Sequence, residues 1–286
     1  MAFEYEKIKN WPIPEDIQSY SANDTILYAL GIAAGAGNPS EDLPFIYEMN
    51  LKAFPTMAVV LATGPMWVAD PATGIDLTKL LHGEQYLTIH KPLPSHGRVR
   101  GVSFVEEIYD KGVEKGSVMM LSRKIYDDES NELLATTTSG VFLRGNGGCG
   151  GPSEGQPKPH PLPERDPDTY IDFITREEQA AIYRLSGDSN PLHIDPKFAA
   201  MGGFDRPILH GLCSFGIAGR AILKAVCNND PNRLKTLNLR FASPVMPGDT
   251  LRTEIWEEAP GQVAFRVKVL ETDTVVLTNG LAEFSL

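Results

Sequence analysis

The sequence predicts an α+β chain of two similar halves, each an antiparallel sheet wrapped closely around one helix. Three observations carry that expectation. Two helix candidates rich in Gly, Ala, Cys and Ser each precede a run of strand candidates. A strand–turn–strand pattern occurs twice, its copies opening at Thr88 and Arg240, 152 positions apart. Between the halves, residues 145–168 are half glycine and proline. The order of elements, helix first and strands after, fits tight-turned antiparallel pairing rather than parallel βαβ units.

Taken along the chain, the first helix spans about residues 24–34 (DTILYALGIAA), with Ser21 or Asn23 as its cap. Small side chains along it let other backbones approach. Thr88-Ile89-His90-Lys91-Pro92-Leu93-Pro94 then leads through a proline-bounded turn to Arg98-Val99-Arg100. Residues 118–126 and 133–143 complete the strands of this half. The Gly/Pro stretch holds almost no large apolar side chain and cannot build a core. It reads as a linker, flexible first and stiffer later. The resulting division is 1–144, linker 145–166 and 167–286. Within the linker, Gly145, Gly147 and Gly150 match GxGxxG, but prolines follow where a phosphate-binding helix must begin, so a dinucleotide site is rejected.

In the second half, Thr175-Arg176-Glu177-Glu178 has the form of a capping box. Ala181, Ile182 and Leu185 follow at helical spacing, and Gly187 is a natural stop. Asp195-Pro196 opens another helix. The second small-residue helix covers 211–226 (GLCSFGIAGRAILKAV). Arg240-Phe241-Ala242-Ser243-Pro244-Val245-Met246 repeats the strand–turn pattern, and strands follow at 263–270 and 275–284.

Between the helix that ends at Gly187 and the one that starts at Asp195 lies DSNPLHI. It places Asp188, Asn190 and His193 on one short loop with a helix at each end. Carboxylate and imidazole both move protons near neutral pH once tuned by burial or a neighbour. An ordinary turn uses Asp and Asn in the same way, but it has no need of His193. The loop reads as a proton-transfer site.

The 286 residues are 42% hydrophobic and 22% charged, an ordinary balance for a globular chain. A net charge of −11 argues against a nucleic-acid surface and against anionic membranes. Three cysteines without CxxC spacing point to a reducing compartment. No segment has the ~20 apolar residues of a membrane span, and MAFEYEKIKN has no signal-peptide pattern. Phe284-Ser285-Leu286 is not read as a peroxisomal tripeptide.

SGDSNPLHID followed by FDRPILHGLCSFG resembles the signature of type 2 enoyl-CoA hydratases, the MaoC-like dehydratases of the hot-dog fold. The same module forms the hydratase part of peroxisomal multifunctional enzyme type 2. In the first half, LLHGEQY at 80–86 and Lys91-Pro92-Leu93-Pro94 resemble that family's N-terminal domain, so the likeness covers nearly the whole chain. It implies a double hot dog with one site, on the second half, because 1–150 contain no D-x-N-P-x-H string. The implied reaction is (R)-specific hydration of trans-2-enoyl-CoA in fatty acid metabolism, with the acyl chain housed by the first half. Asp188 and His193 would share the acid and base roles, in an order the sequence leaves open. Asn190 would hold the water or the His193 ring. The amide of Gly211 would hold the thioester oxygen, which suits a helix N-terminus.

By the same resemblance, His82, Gly83, Lys111 and Phe241 contact the acyl-CoA, Lys111 at a phosphate; packing is an equal reading for His82 and Phe241. His210 reads as structural, since only its neighbour's amide is needed, and Cys213 as a small core residue. A metal at His193 and Asp195 would need two further ligands, so none is expected, nor is a cofactor. A homodimer is expected, cytoplasmic in a bacterium or peroxisomal in a eukaryote. The competing readings are an acyl-CoA thioesterase and a non-catalytic acyl-CoA binder.

Overall fold

The computed structural model describes residues 3–286. The first half supplies β1 (Asp16–Tyr20), β2 (Leu80–Ile89), β3 (Gly97–Asp110), β4 (Ser117–Asp127) and β5 (Leu133–Leu143). The second supplies β6 (Thr169–Ile174), β7 (Leu234–Phe241), β8 (Thr250–Ala259), β9 (Gln262–Val269) and β10 (Thr274–Phe284). The helices are α1 (Tyr5–Lys9), α2 (Ala22–Gly31), α3 (Pro39–Ile46), α4 (Gln179–Tyr183), α5 (Pro196–Met201) and α6 (Gly211–Val226).

The two expected sheets, one from each half, are continuous. All ten strands join in the order β1-β3-β4-β5-β2-β7-β10-β9-β8-β6, every pair antiparallel. The seam is β2 against β7, where Tyr86 lies opposite Asn238. Those residues are separated by the same 152 positions as the sequence repeat, so each faces its own counterpart. That is what a local two-fold axis requires, and the halves meet like the subunits of an isologous dimer.

α6 fills the concavity of the second half, with 11 of its 16 residues buried. Its glycines mark the close approaches. A Cβ at Gly216 would run into Ile32 and Tyr28, and one at Gly219 into Thr56 and Leu237. The first half differs from expectation here. α2 is capped by Ser21 through a true capping box, but it packs on α3 and α4 rather than inside the sheet. The place against β2 and β5 belongs to a six-residue 3₁₀ helix, Pro55–Val60, buried at every position. Its last carbonyls are satisfied by Arg123 of β4, which donates to Val59 O at 2.8 Å and Ala58 O at 3.4 Å.

A buried ion pair also ties the halves together. Arg220 of α6 donates to Asp42 Oδ2 at 2.6 Å and to Ala33 O at 2.8 Å, with its guanidinium 3.7 Å from the Phe173 ring centroid. Breaking one side of such a pair typically costs about 3–5 kcal/mol. The glycines of the connecting stretch permit tight seating: a Cβ at Gly147 would meet Gly112 O, and one at Gly151 Ile108 O. Asp110 accepts from Gly148 N and Gly150 N, each at 2.9 Å, while Tyr109 and Lys111 bond the carbonyls of Gly155 and Ser153. Further on, His160 O accepts from Asn279 Nδ2.

Candidate active site

The acid–base loop is held at both ends, as its sequence requires. α4 runs into a 3₁₀ turn, Arg184–Ser186, that stops at Gly187 with φ 124°, a conformation few side chains tolerate. The expected capping box does not form, because Thr175 Oγ1 is turned to Asp249 O and to Gly248 N. Beyond Asp188, Asn190 caps a second 3₁₀ turn, Pro191–His193, by accepting from Leu192 N. Asp195 then caps α5 by accepting from Lys197 N.

His193 is buried, and its Nδ1 lies 2.9 Å from the carbonyl of Ile208. A carbonyl only accepts, so neutral His193 carries its proton on Nδ1 and leaves the Nε2 lone pair free. Burial holds its pKa below the usual imidazole range, opposed by the Ile208 bond and the charge of Asp188. The ring is a neutral base at pH 7. Asp188 is partly exposed beside it, and its Oδ1 accepts from Asn190 N.

Opposite the loop, α6 begins at Gly211. His210 O takes the first helical bonds, from Cys213 N and Ser214 N, which leaves the amides of Gly211 and Leu212 ahead of the ladder. Gly211 is exposed, with the Phe241 ring against it: a Cβ there would sit 3.1 Å from the ring edge. His82 meets the same ring edge-on at 5.0 Å. It comes from β2 because a bulge between His82 and Glu84 inserts Gly83, which turns His82 to the face carrying Val141. Gly83 itself lies tight under Phe142, where no Cβ fits without movement. Burial pushes the His82 pKa down to about 4, while bonds to Glu84 and Gln85 and the Asp188 charge pull the other way. β2, β7, the loop and the start of α6 thus converge on one site at the seam.

Residues 159–280 match the family model described as "MaoC like domain", and 18–145 match the "MFE-2 hydratase 2 N-terminal domain". The chain is 41% identical to the 3-hydroxyacyl-thioester dehydratase Y of Mycobacterium tuberculosis, over 93% of each. The chain belongs to the MaoC-like hydratase 2 family. It is 40% identical to a peroxisomal enoyl-CoA hydratase 2 of Arabidopsis thaliana, over 93% of this chain and 91% of that protein. Against the mouse peroxisomal multifunctional enzyme type 2 it is 41% identical over 95% of its length, but spans only 37% of that protein. A MaoC-like dehydratase from Phytophthora capsici superposes with a TM-score of 0.87 at 38% identity, over 98% of both chains. A M. tuberculosis protein described as a double hot dog, 14% identical, gives 0.56 over 96% of this chain and 94% of that one, which shows the fold alone.

Two residues expected at the site of this hydratase-family chain are engaged elsewhere. Lys111 Nζ donates to Ser153 O and lies 5.4 Å from the Tyr109 ring. The Asn190 side-chain oxygen is used by its own turn. His210, read as structural, is fully buried and lies against His193 with ring centroids 3.8 Å apart. Asp188, His193 and His210 offer one ligand atom each within 4.8 Å of one another. Nδ1 of His193 and Nε2 of His210 each already faces a backbone carbonyl, of Ile208 and of Asp188.

Proposed function

We propose that this chain adds water to trans-2-enoyl-CoA to give the (3R)-3-hydroxyacyl-CoA, and catalyses the reverse dehydration. The observation that carries the reading is the free Nε2 of a neutral, buried His193 beside Asp188, across from the unpaired amide of Gly211. Water lies between Asp188 and His193. His193 Nε2 takes one proton as the oxygen attacks C3, and Asp188 orients the water and balances the imidazolium. The thioester oxygen gains negative charge and is held by Gly211 N–H at the positive end of α6. The imidazolium then returns its proton to C2, so one base serves both steps and the proton count closes.

The other assignments follow the shape of the site. His82, Gly83 and Phe241 wall the thioester, and the Asn190 amide nitrogen meets the water. Lys111, released from Ser153, meets a phosphate of the CoA. A cleft of about 120 Å³, lined by Leu27, Met57, Val60, Leu61, Leu185 and Gly187 among others, opens next to Asp188 and receives the acyl chain. It lies between the halves, which supports chemistry on 167–286 and chain binding by 1–144. A homodimer belongs to the same reading. So does a peroxisomal or bacterial cytoplasmic setting, since the relatives include proteins named as peroxisomal and a bacterial one. Among the described residues, no helix is long and apolar enough to cross a membrane.

Incubation with crotonyl-CoA and decenoyl-CoA tests the activity. Loss of enoyl absorbance with a 3R product is expected. Free CoA thiol without hydroxyacyl product would establish a thioesterase, and no turnover at all a binding protein.

A further inference from the structure

We infer that His210 is a positioning residue that holds Asp188 and His193 in register; this deepens the hydratase reading and rests on it. Its Nε2 lies 3.2 Å from the backbone carbonyl of Asp188. The carbonyl can only accept, so Nε2–H donates and ties the backbone of Asp188 to the start of α6. Its flat face lies on His193 at 3.8 Å. Its own backbone caps α6, one residue before the amide that faces the thioester oxygen. One side chain therefore touches Asp188 and His193 and fixes its distance to Gly211.

The ring is in turn braced from behind. Tyr183 of α4 stands 5.0 Å from it, and Tyr28 of α2 stands 6.1 Å from Tyr183. α2 reaches that close because Gly31 lies against Tyr183, where a Cβ would come within 3.3 Å of its Cα. The line of ring contacts Tyr28–Tyr183–His210–His193 thus carries the first half into the catalytic loop. His210 Nδ1 is buried with no partner. Burial, and then the neighbouring His193, push its pKa down to about 4. During turnover it stays neutral while His193 takes the proton. A neutral π face against an imidazolium is attractive, whereas a second cation would repel it.

His210→Phe keeps the flat face and loses the donor; His210→Gln keeps a donor and loses the face. Each should lower kcat roughly 10²-fold, the usual effect of small misplacement, with KM changed less than about threefold. The pH profiles separate the two roles. In His210→Gln, water reaches His193, its pKa rises, and the acid limb of kcat/KM moves to higher pH. In His210→Phe that limb stays in place. Imidazole nitrogen NMR on the unliganded protein gives an answer independent of any substrate. His193 should be protonated at Nδ1 and His210 at Nε2, with His210 neutral down to about pH 5. Folded variants with wild-type kcat and an unchanged acid limb would overturn the inference, as would a His210 that titrates near 6.5. Loss of melting temperature alone would reduce His210 to a core residue. A wild-type protein that makes no hydroxyacyl product would instead defeat the hydratase reading, and the NMR would still decide the role of His210.

Discussion

The two halves of the sheet have the same strand plan but different fillings. In the second, the sixteen residues of α6 run the length of the concavity and end in free amides at the acid–base loop. In the first, a six-residue 3₁₀ helix takes the corresponding place and depends on Arg123 to satisfy its carbonyls. Only a full-length helix can bring a concentrated N-terminal dipole to the seam. A short plug leaves the neighbouring volume for a ligand. On the proposed reading, one half does the chemistry and the other shapes the substrate's surroundings.

The comparison breaks first at the loop. Asp188→Asn and His193→Ala should each lower turnover by about 10²–10⁴-fold, the usual contribution of such groups. Because the two act as a unit, the double variant should lose little more than either single one. Additive losses in steady-state kinetics would separate their roles. Next comes Gly211→Val, which crowds the Phe241 ring and the approach to the amide. Turnover should fall about 10²–10³-fold, the scale of losing one oxyanion donor. The melting temperature should move little, because Gly211 is exposed. Normal activity would remove Gly211 from the site.

In the first half the expected effects are on stability. Arg123→Met leaves the carbonyl of Val59 without its side-chain donor and that of Ala58 with only Leu61 N, a loss on the order of 1–3 kcal/mol by chemical denaturation. Crotonyl-CoA turnover should remain within about twofold of wild type, since a missing hydrogen bond in the first half leaves the loop untouched. A large fall in turnover would show that the first half does more than shape the substrate's surroundings.

A further effect concerns pH. His82, His193 and His210 are all held below the usual imidazole range when folded. As pH falls below about 6.5, the unfolded chain takes up protons that the folded one refuses. Stability should therefore rise with pH from about 4 to about 6.5, and be lost as pH drops through that window. Denaturant melts at a series of pH values should show this slope, and His210→Phe should flatten it by one group's share.

What the sequence revealed follows from how locally each feature is encoded. Asp188, His193 and Gly211 stand beside their own punctuation: Gly187, Pro191, Pro196 and a helix start. α6 and most of the strands were legible from composition and turn residues, but the edge strands β1 and β6 were not. Residues 53–62, AFPTMAVVLA, were not, because an apolar run buried on all sides has no period to read. Without it, α2 was the only helix on offer for the first concavity. The stack on His193 was hidden for another reason. His210, Tyr183 and Tyr28 meet only through tertiary packing, as His82 and Phe241 meet only across the β2–β7 seam.

The division of labour itself is tested most directly by the ratio of kcat/KM for decenoyl-CoA to that for crotonyl-CoA, in wild type and in Val60→Phe. Val60 lies in the first half, lines the cleft beside Gly187 and is distant in sequence from every group assigned to proton transfer. Filling the cleft should lower the decenoyl value at least about tenfold, the scale on which pocket size discriminates chain length, and leave crotonyl turnover near wild type. Equal losses on both substrates, or none on either, would contradict the assignment of the acyl chain to the first half.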